Sequence, residues 1–157
     1  KGAGLRDQIK IISAAKNASG FDMLAKIALG ADLVNSARAM MLALGCIQSK
    51  ACNTNKCPTG VATQDKARAK ALNVDMRARR VEHYQKGTVK AFLELCGALG
   101  YDNPSQLGPT DLYQRTEAGL RNFDQVYVPL KDGQLLTEDV PDFYKEDWRR
   151  ASDQAFI

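Results

Sequence analysis

Residues 9–45, IKIISAAKNASGFDMLAKIALGADLVNSARAMMLALG, alternate two short β-branched runs with two longer stretches rich in Ala, Leu and Met. IKIIS (9–13) is apolar, short and bounded by the small residues AAKNASG, which predicts a buried strand followed by a loop. Ser19, Gly20 and Asp22 then supply helix-start signals for a helix running through MLAKIAL, and Gly30 can end it in a left-handed cap. The pattern repeats: ADLVN reads as a second strand and SARAMMLALG as a second helix ending at Gly45. Strand, loop, helix, twice over, implies parallel strands covered by helices, an α/β fold.

Bulk properties set the wider bounds. The chain has 157 residues, 45% hydrophobic and 25% charged, within the range of ordinary globular domains. A net charge of +4 is dispersed, with no dense basic block of the kind that binds nucleic acid. No apolar run approaches a membrane span, and KGAGLRDQIK has no signal-peptide core, so a soluble cytoplasmic protein with no nucleic-acid or membrane partner is expected.

Beyond residue 64 the composition turns to Ala, Lys, Arg, Leu and Glu, and Tyr84, Phe92, Leu95 and Leu99 recur near helical spacing, so one or two helices are expected before Gly97 and Gly100. Turn formers fill YDNPSQLGPTD, a helix is expected from about Thr110, and residues 122–136 read as irregular around Pro129 and KDG. The tail PDFYKEDWRRASDQAF places Tyr144, Trp148 and Ala151 on one helical face. The chain thus divides into two βα units (1–45), a cysteine loop (46–64) and a mostly helical extension (65–157).

That loop, GCIQSKACNTNKCPTG (45–60), holds three of the four cysteines as C-x5-C-x4-C. Nothing marks a secreted disulfide scaffold, so thiols are expected. Loops of these lengths allow Cys46, Cys52 and Cys57 to wrap one small inorganic object. A structural zinc commonly takes four protein ligands, and no fourth Cys or His lies near in sequence, whereas a cuboidal iron–sulfur cluster lacking one iron needs three thiolates. Spacing alone leaves cluster, zinc and free thiols open. Elsewhere the simpler readings hold: Cys96 as a packing residue, His83 as a partly exposed helix residue, Met40 and Met41 as core filler, and the RARR of Arg77–Arg80 as a solvated helix face rather than a docking patch for an electron donor. Arg38, at a strand-to-helix turn, suits an anion.

GCIQSKACNTNKCPTGVATQD (45–65) resembles the cluster loop of the FMN-dependent synthase domain of glutamate synthases, and GFDMLAKIALGADLVNSARAMMLALGC (20–46) is similar to that family's final barrel segment. The likeness, closest to shorter archaeal-type members, continues through EHYQKGTVKAFLELCGALG and LYQRTEAGLRNFDQVY. It implies that the chain is the C-terminal fragment of a (β/α)8 TIM barrel, contributing its last two βα units. Because a barrel of about 250 residues needs eight strands, the rest, with the catalytic groups, would lie upstream, so the fragment alone is expected to be inactive. The resemblance further implies FMN and a 3Fe–4S cluster as cofactors, with Cys46, Cys52 and Cys57 as cluster ligands. Ala15 and Lys16 after the seventh strand, and Ala37 and Arg38 after the eighth, would grip the FMN phosphate. SAAKN stands where the family commonly has a glycine. The implied activity is reductive formation of L-glutamate from 2-oxoglutarate through 2-iminoglutarate, with glutamine-derived ammonia. The implied partners are a glutaminase domain or subunit, an electron donor (ferredoxin or an NADPH-oxidising subunit) and the remainder of the barrel. Strand edges left open in the fragment would invite self-association. A variant using another amine donor and a zinc-stabilised interaction module without redox role are the alternatives.

Overall fold

Ser19 starts the first helix as anticipated. Its side chain accepts the Asp22 N–H while the Asp22 carboxylate takes the Ser19 N–H, a capping box that opens α1 (Gly20–Ala28). Leu24 and Ala28 are buried along one stripe of that helix, and Gly30, at φ 104°, turns the chain out of it. On either side of α1 lie β1 (Ile12–Ser13) and β2 (Leu33–Val34), paired in parallel with Ile12 opposite Leu33 and Ser13 opposite Val34. α2 (Arg38–Leu44) follows and ends at Gly45, φ 115°. The strands are shorter than the apolar runs that encode them. Each has one ladder neighbour, and the burial expected of IKIIS is not met: Ile9, Ile11 and Ile12 are exposed, as is Leu33.

The computed structural model describes residues 1–152 and 154. Asp65 and Asn73 cap α3 (Lys66–Lys70) and α4 (Val74–Ala98), so the Ala/Lys/Arg-rich stretch forms two helices. Gly97 lies inside α4 and Gly100, at φ 84°, comes after its end. Both α1 and α2 pack on α4, whose Phe92 and Cys96 are buried. The α1–α4 crossing is close: a Cβ added to Gly20 would stand 2.5 Å from the Phe92 backbone nitrogen. These elements belong to one compact unit, Ile11–Leu112.

A second unit comprises Lys1–Lys10 and the described residues from Tyr113 onward. Two expectations fail, one at the end of the Ile11–Leu112 unit and one in this second unit. Instead of a helix from Thr110, Gly108–Asp111 is a turn, closed by the Gly108 N–H on the Asp111 carboxylate at 2.7 Å. The chain then forms an antiparallel hairpin of β3 (Tyr113–Thr116) and β4 (Gly119–Asn122), set among the helices of the extension. The irregular stretch 122–136 also contains α5 (Phe123–Tyr127), opened by an Asn122/Gln125 capping box. In the tail, α6 (Asp142–Arg150) carries Tyr144 and Trp148, with Ala151 at its C-cap; residues 153, 155 and 156 of the anticipated helix lie outside the described residues. No helix among the described residues is long and apolar enough to cross a membrane.

Candidate functional site

The loops that leave β1 and β2 face one cleft of about 530 Å³, lined by Ala15, Lys16, Ala37 and Arg38 among others. All four residues assigned to the phosphate grip therefore meet at one place, beyond the carboxyl ends of two parallel strands, where α/β proteins bind ligands. Lys16 takes the left-handed conformation at φ 53°, so the positive φ falls on it and not on the alanines of SAAKN. Arg38 opens α2, is exposed, and follows an N-cap, Ala37, with no side-chain acceptor to occupy the first helical N–H groups.

Neighbours that the sequence reading did not assign to the phosphate grip hold these loops. Asn17, 5% exposed, donates Nδ2–H to the Asn35 carbonyl at 2.7 Å, and the Ser36 hydroxyl donates to the Asn17 carbonyl. The two loops are thus tied in both directions. The Asp22 carboxylate takes the N–H groups of Ala18 and Ser19 at 3.0 and 2.9 Å; the Ala18 bond is the main cause of a carboxyl pKa below the ordinary range. From α4, the Tyr84 hydroxyl donates to the Ala18 carbonyl at 2.6 Å. The bonds of Asn17, Ser36 and Tyr84 join residues far apart in sequence and leave no periodic signal.

The cysteine loop begins where α2 ends. Cys46, Cys52, Cys57 and Cys96 are all free thiols. Cys57 is buried, with Sγ 3.5 Å from the Thr59 hydroxyl. That hydroxyl, with the N–H groups of Ala62, Thr59 and Val61, brings its pKa down to about 7. Cys46 Sγ accepts the Gln48 N–H at 3.4 Å, and Cys52 is exposed at the start of a short 3₁₀ turn. Gln48, Lys50 and Asn55 adopt left-handed φ of 56°, 57° and 62°. At Gln48 and Lys50 this costs on the order of 1–2 kcal/mol, asparagine tolerating it better, and strain of this kind gathers at functional sites. Asn55 is braced by its side chain, whose Oδ1 accepts the Gln64 N–H at 2.6 Å.

Among the described residues no three His, Cys, Asp or Glu side chains are gathered to hold a single metal ion. Ligands to a cluster bind different irons and stand wider apart than ligands to one ion. The donor set suits such a group in kind: three unpaired thiols, with N–H or O–H donors already on two of the sulfurs. Elsewhere, burial pushes the Cys96 thiol pKa up and the residue packs inside, and His83 is exposed on α4. Met40 and Met41 are half-buried. Arg77 departs from the solvated-face reading of RARR: it is partly buried against Gly45.

Two parallel βα units with a cleft at the carboxyl ends of their strands, followed by a cysteine-bearing loop, place the chain in the α/β class. A family model described as a conserved region in glutamate synthase matches residues 1–102, and the chain belongs to the glutamate synthase family. It is 39% identical over 116 residues to a glutamate synthase large subunit-like protein, YerD, of Bacillus subtilis, covering 74% of this chain and 22% of that protein. An archaeal-type glutamate synthase (NADPH) of Dehalococcoides mccartyi is 32% identical over 112 residues, 71% of this chain and 22% of the relative. The archaeal glutamate synthase (NADPH) of Methanocaldococcus jannaschii is 38% identical over 104 residues, 66% of this chain and 20% of its own length. The chain thus spans about a fifth of these curated relatives.

Proposed function

We propose that this chain is the C-terminal part of the FMN domain of a cytoplasmic glutamate synthase, the last two βα units of a TIM barrel (1–45) joined to an iron–sulfur loop (46–64) and an extension (65–157). The whole enzyme forms L-glutamate from 2-oxoglutarate, through 2-iminoglutarate, with ammonia released from glutamine by a glutaminase domain or subunit. Its electrons come from ferredoxin or an NADPH-oxidising subunit. Bound FMN supplies hydride chemistry, and a 3Fe–4S cluster supplies single-electron transfer to it.

The residues of this chain bind and orient. Backbone N–H groups of Ala15 and Lys16 and of Ala37 and Arg38 would hold the FMN phosphate, and the Arg38 guanidinium would add a charge-assisted contact. The alanines and Leu42 of the cleft give carbon skeleton an apolar wall. Cys46, Cys52 and Cys57 would ligate the cluster. Donors to the Cys57 sulfur favour the thiolate that ligation requires. No catalytic residue is assigned within the chain, and alone it is expected to be inactive.

The convergence of the four loop residues on one cleft, in a family member, carries the reading. Its test is a titration of the chain with FMN, followed by flavin fluorescence, combined with anaerobic reconstitution with iron and sulfide. Saturable FMN quenching and a brown product with the resonance of an oxidised three-iron cluster are expected. Unquenched flavin, with a colourless chain that takes up one zinc, would replace the reading with the metal-stabilised module.

A further inference from the structure

Gly45 ends α2 in the left-handed conformation, and a Cβ built on it would lie 2.3 Å from Arg77 Nη1 and 2.8 Å from Arg77 Cζ. The absence of a side chain at Gly45 is therefore what lets a guanidinium from α4 rest on this backbone. The next residue is Cys46, fixed by its own N–H to the Met41 carbonyl at 2.9 Å. Arg77 Nε is buried with no hydrogen-bond partner. The ion pairs of α3 and of α4 itself join Asp65 to Arg68, Glu82 to Lys86 and Glu94 to Lys90; none of the described carboxylates pairs with Arg77. A partly buried cation without a counter-charge is costly, and it complements an anion close by.

We propose that Arg77 is a positioning residue for the electron path, holding a fixed positive charge beside the Cys46 end of the cysteine loop and raising the reduction potential of the group bound there. This rests on the iron–sulfur reading. Three thiolates make the loop anionic, and a one-electron reduction adds a further negative charge to the bound cluster. A fixed cation stabilises the reduced form more than the oxidised one. Charge and surrounding hydrogen bonds are established determinants of cluster potential. Seating on Gly45 limits the distance over which the guanidinium can move, so the effect is built into the crossing of α2 and α4.

The test is a redox titration of the anaerobically loaded full chain, followed by the three-iron resonance, for wild type, Arg77→Lys and Arg77→Gln, with a thermal melt of each. Arg77→Gln is expected to lower the reduction equilibrium constant about tenfold, a 59 mV fall for one electron, while Arg77→Lys stays near wild type. Equal midpoints for Arg77→Gln and wild type would overturn the proposal with the cluster reading intact. A fall as large in Arg77→Lys would also overturn it, since shape and not charge would then be responsible. If both variants melt early and load no cluster, Arg77 is a structural residue only and the proposal falls. Loading by wild type and Arg77→Lys but not by Arg77→Gln, at unchanged melting, supports it. A wild-type chain that loads no iron refutes the iron–sulfur reading itself, and this inference with it.

Discussion

Replacing Gly20 with alanine should loosen the crossing on which the cleft loops depend. A Cβ at this position would be 2.5 Å from the Phe92 nitrogen and 2.9 Å from the Ala91 carbonyl carbon, both backbone atoms of α4 that cannot rotate away. Alanine is favoured over glycine within helices by up to about 1 kcal/mol, less at a first-turn position. Overpacking of a tight contact costs about 1–3 kcal/mol. The contact outweighs the propensity, for a net loss of about 1–2 kcal/mol. In a unit of this size each kcal/mol lowers Tm by about 4–8 °C. Gly87→Ala and Gly97→Ala serve as controls, since both sites lie in α4 with nothing within 4 Å of an added Cβ. There propensity acts alone, and stability should rise by up to about 1 kcal/mol. Circular dichroism melts of the three variants decide the matter. A Gly20→Ala chain as stable as Gly97→Ala would refute the close α1–α4 packing.

Other outcomes follow from the site. Cys57, with its pKa near 7 against an ordinary 9.0, should be alkylated by iodoacetamide in the metal-free chain faster than Cys96 at neutral pH, with a rate that rises through pH 7; peptide mapping reads this directly. Because the folded pKa is depressed, the stabilising effect of the Cys57 donors is complete above pH 9 and is lost as pH falls through 7, so Thr59→Val should destabilise the metal-free chain more at pH 9 than at pH 6 in urea titrations. Tyr84→Phe removes the bond to the Ala18 carbonyl and should cost about 0.5–1.5 kcal/mol in the same assay; no change would mean the hydroxyl does not tie α4 to the loop. Arg38→Ala should weaken FMN binding about tenfold without moving the melting temperature, as a lost charge-assisted phosphate contact would. Equal FMN affinity would remove Arg38 from the grip.

Much of the first unit was legible because its signals are local. Ser19 with Asp22, Gly30 and Gly45 mark helix ends through capping chemistry that acts within a few residues, whereas the caps at Asp65 and Asn73 were not read from the sequence. The β3–β4 hairpin was not legible. Tyr113, Gln114 and Arg115 are all exposed, so the strand has no alternation to betray it, and where a helix was expected from about Thr110, Asp111 closes a turn. α5 was hidden for another reason: five residues opened by an asparagine carry too short a period to detect. At the site, the strand-to-helix loops pointed to the cleft, whereas Asn17, Tyr84 and Arg77 act through partners 18, 66 and 32 positions away and became visible only in the fold.

Iron K-edge X-ray absorption of the chain loaded anaerobically with iron and sulfide tests the central claim most directly. The account predicts iron surrounded by sulfur, with iron neighbours at cluster distance, and loss of that signature when Cys46, Cys52 or Cys57 becomes serine. An oxygen and nitrogen shell without iron neighbours, unchanged by those substitutions, would contradict it.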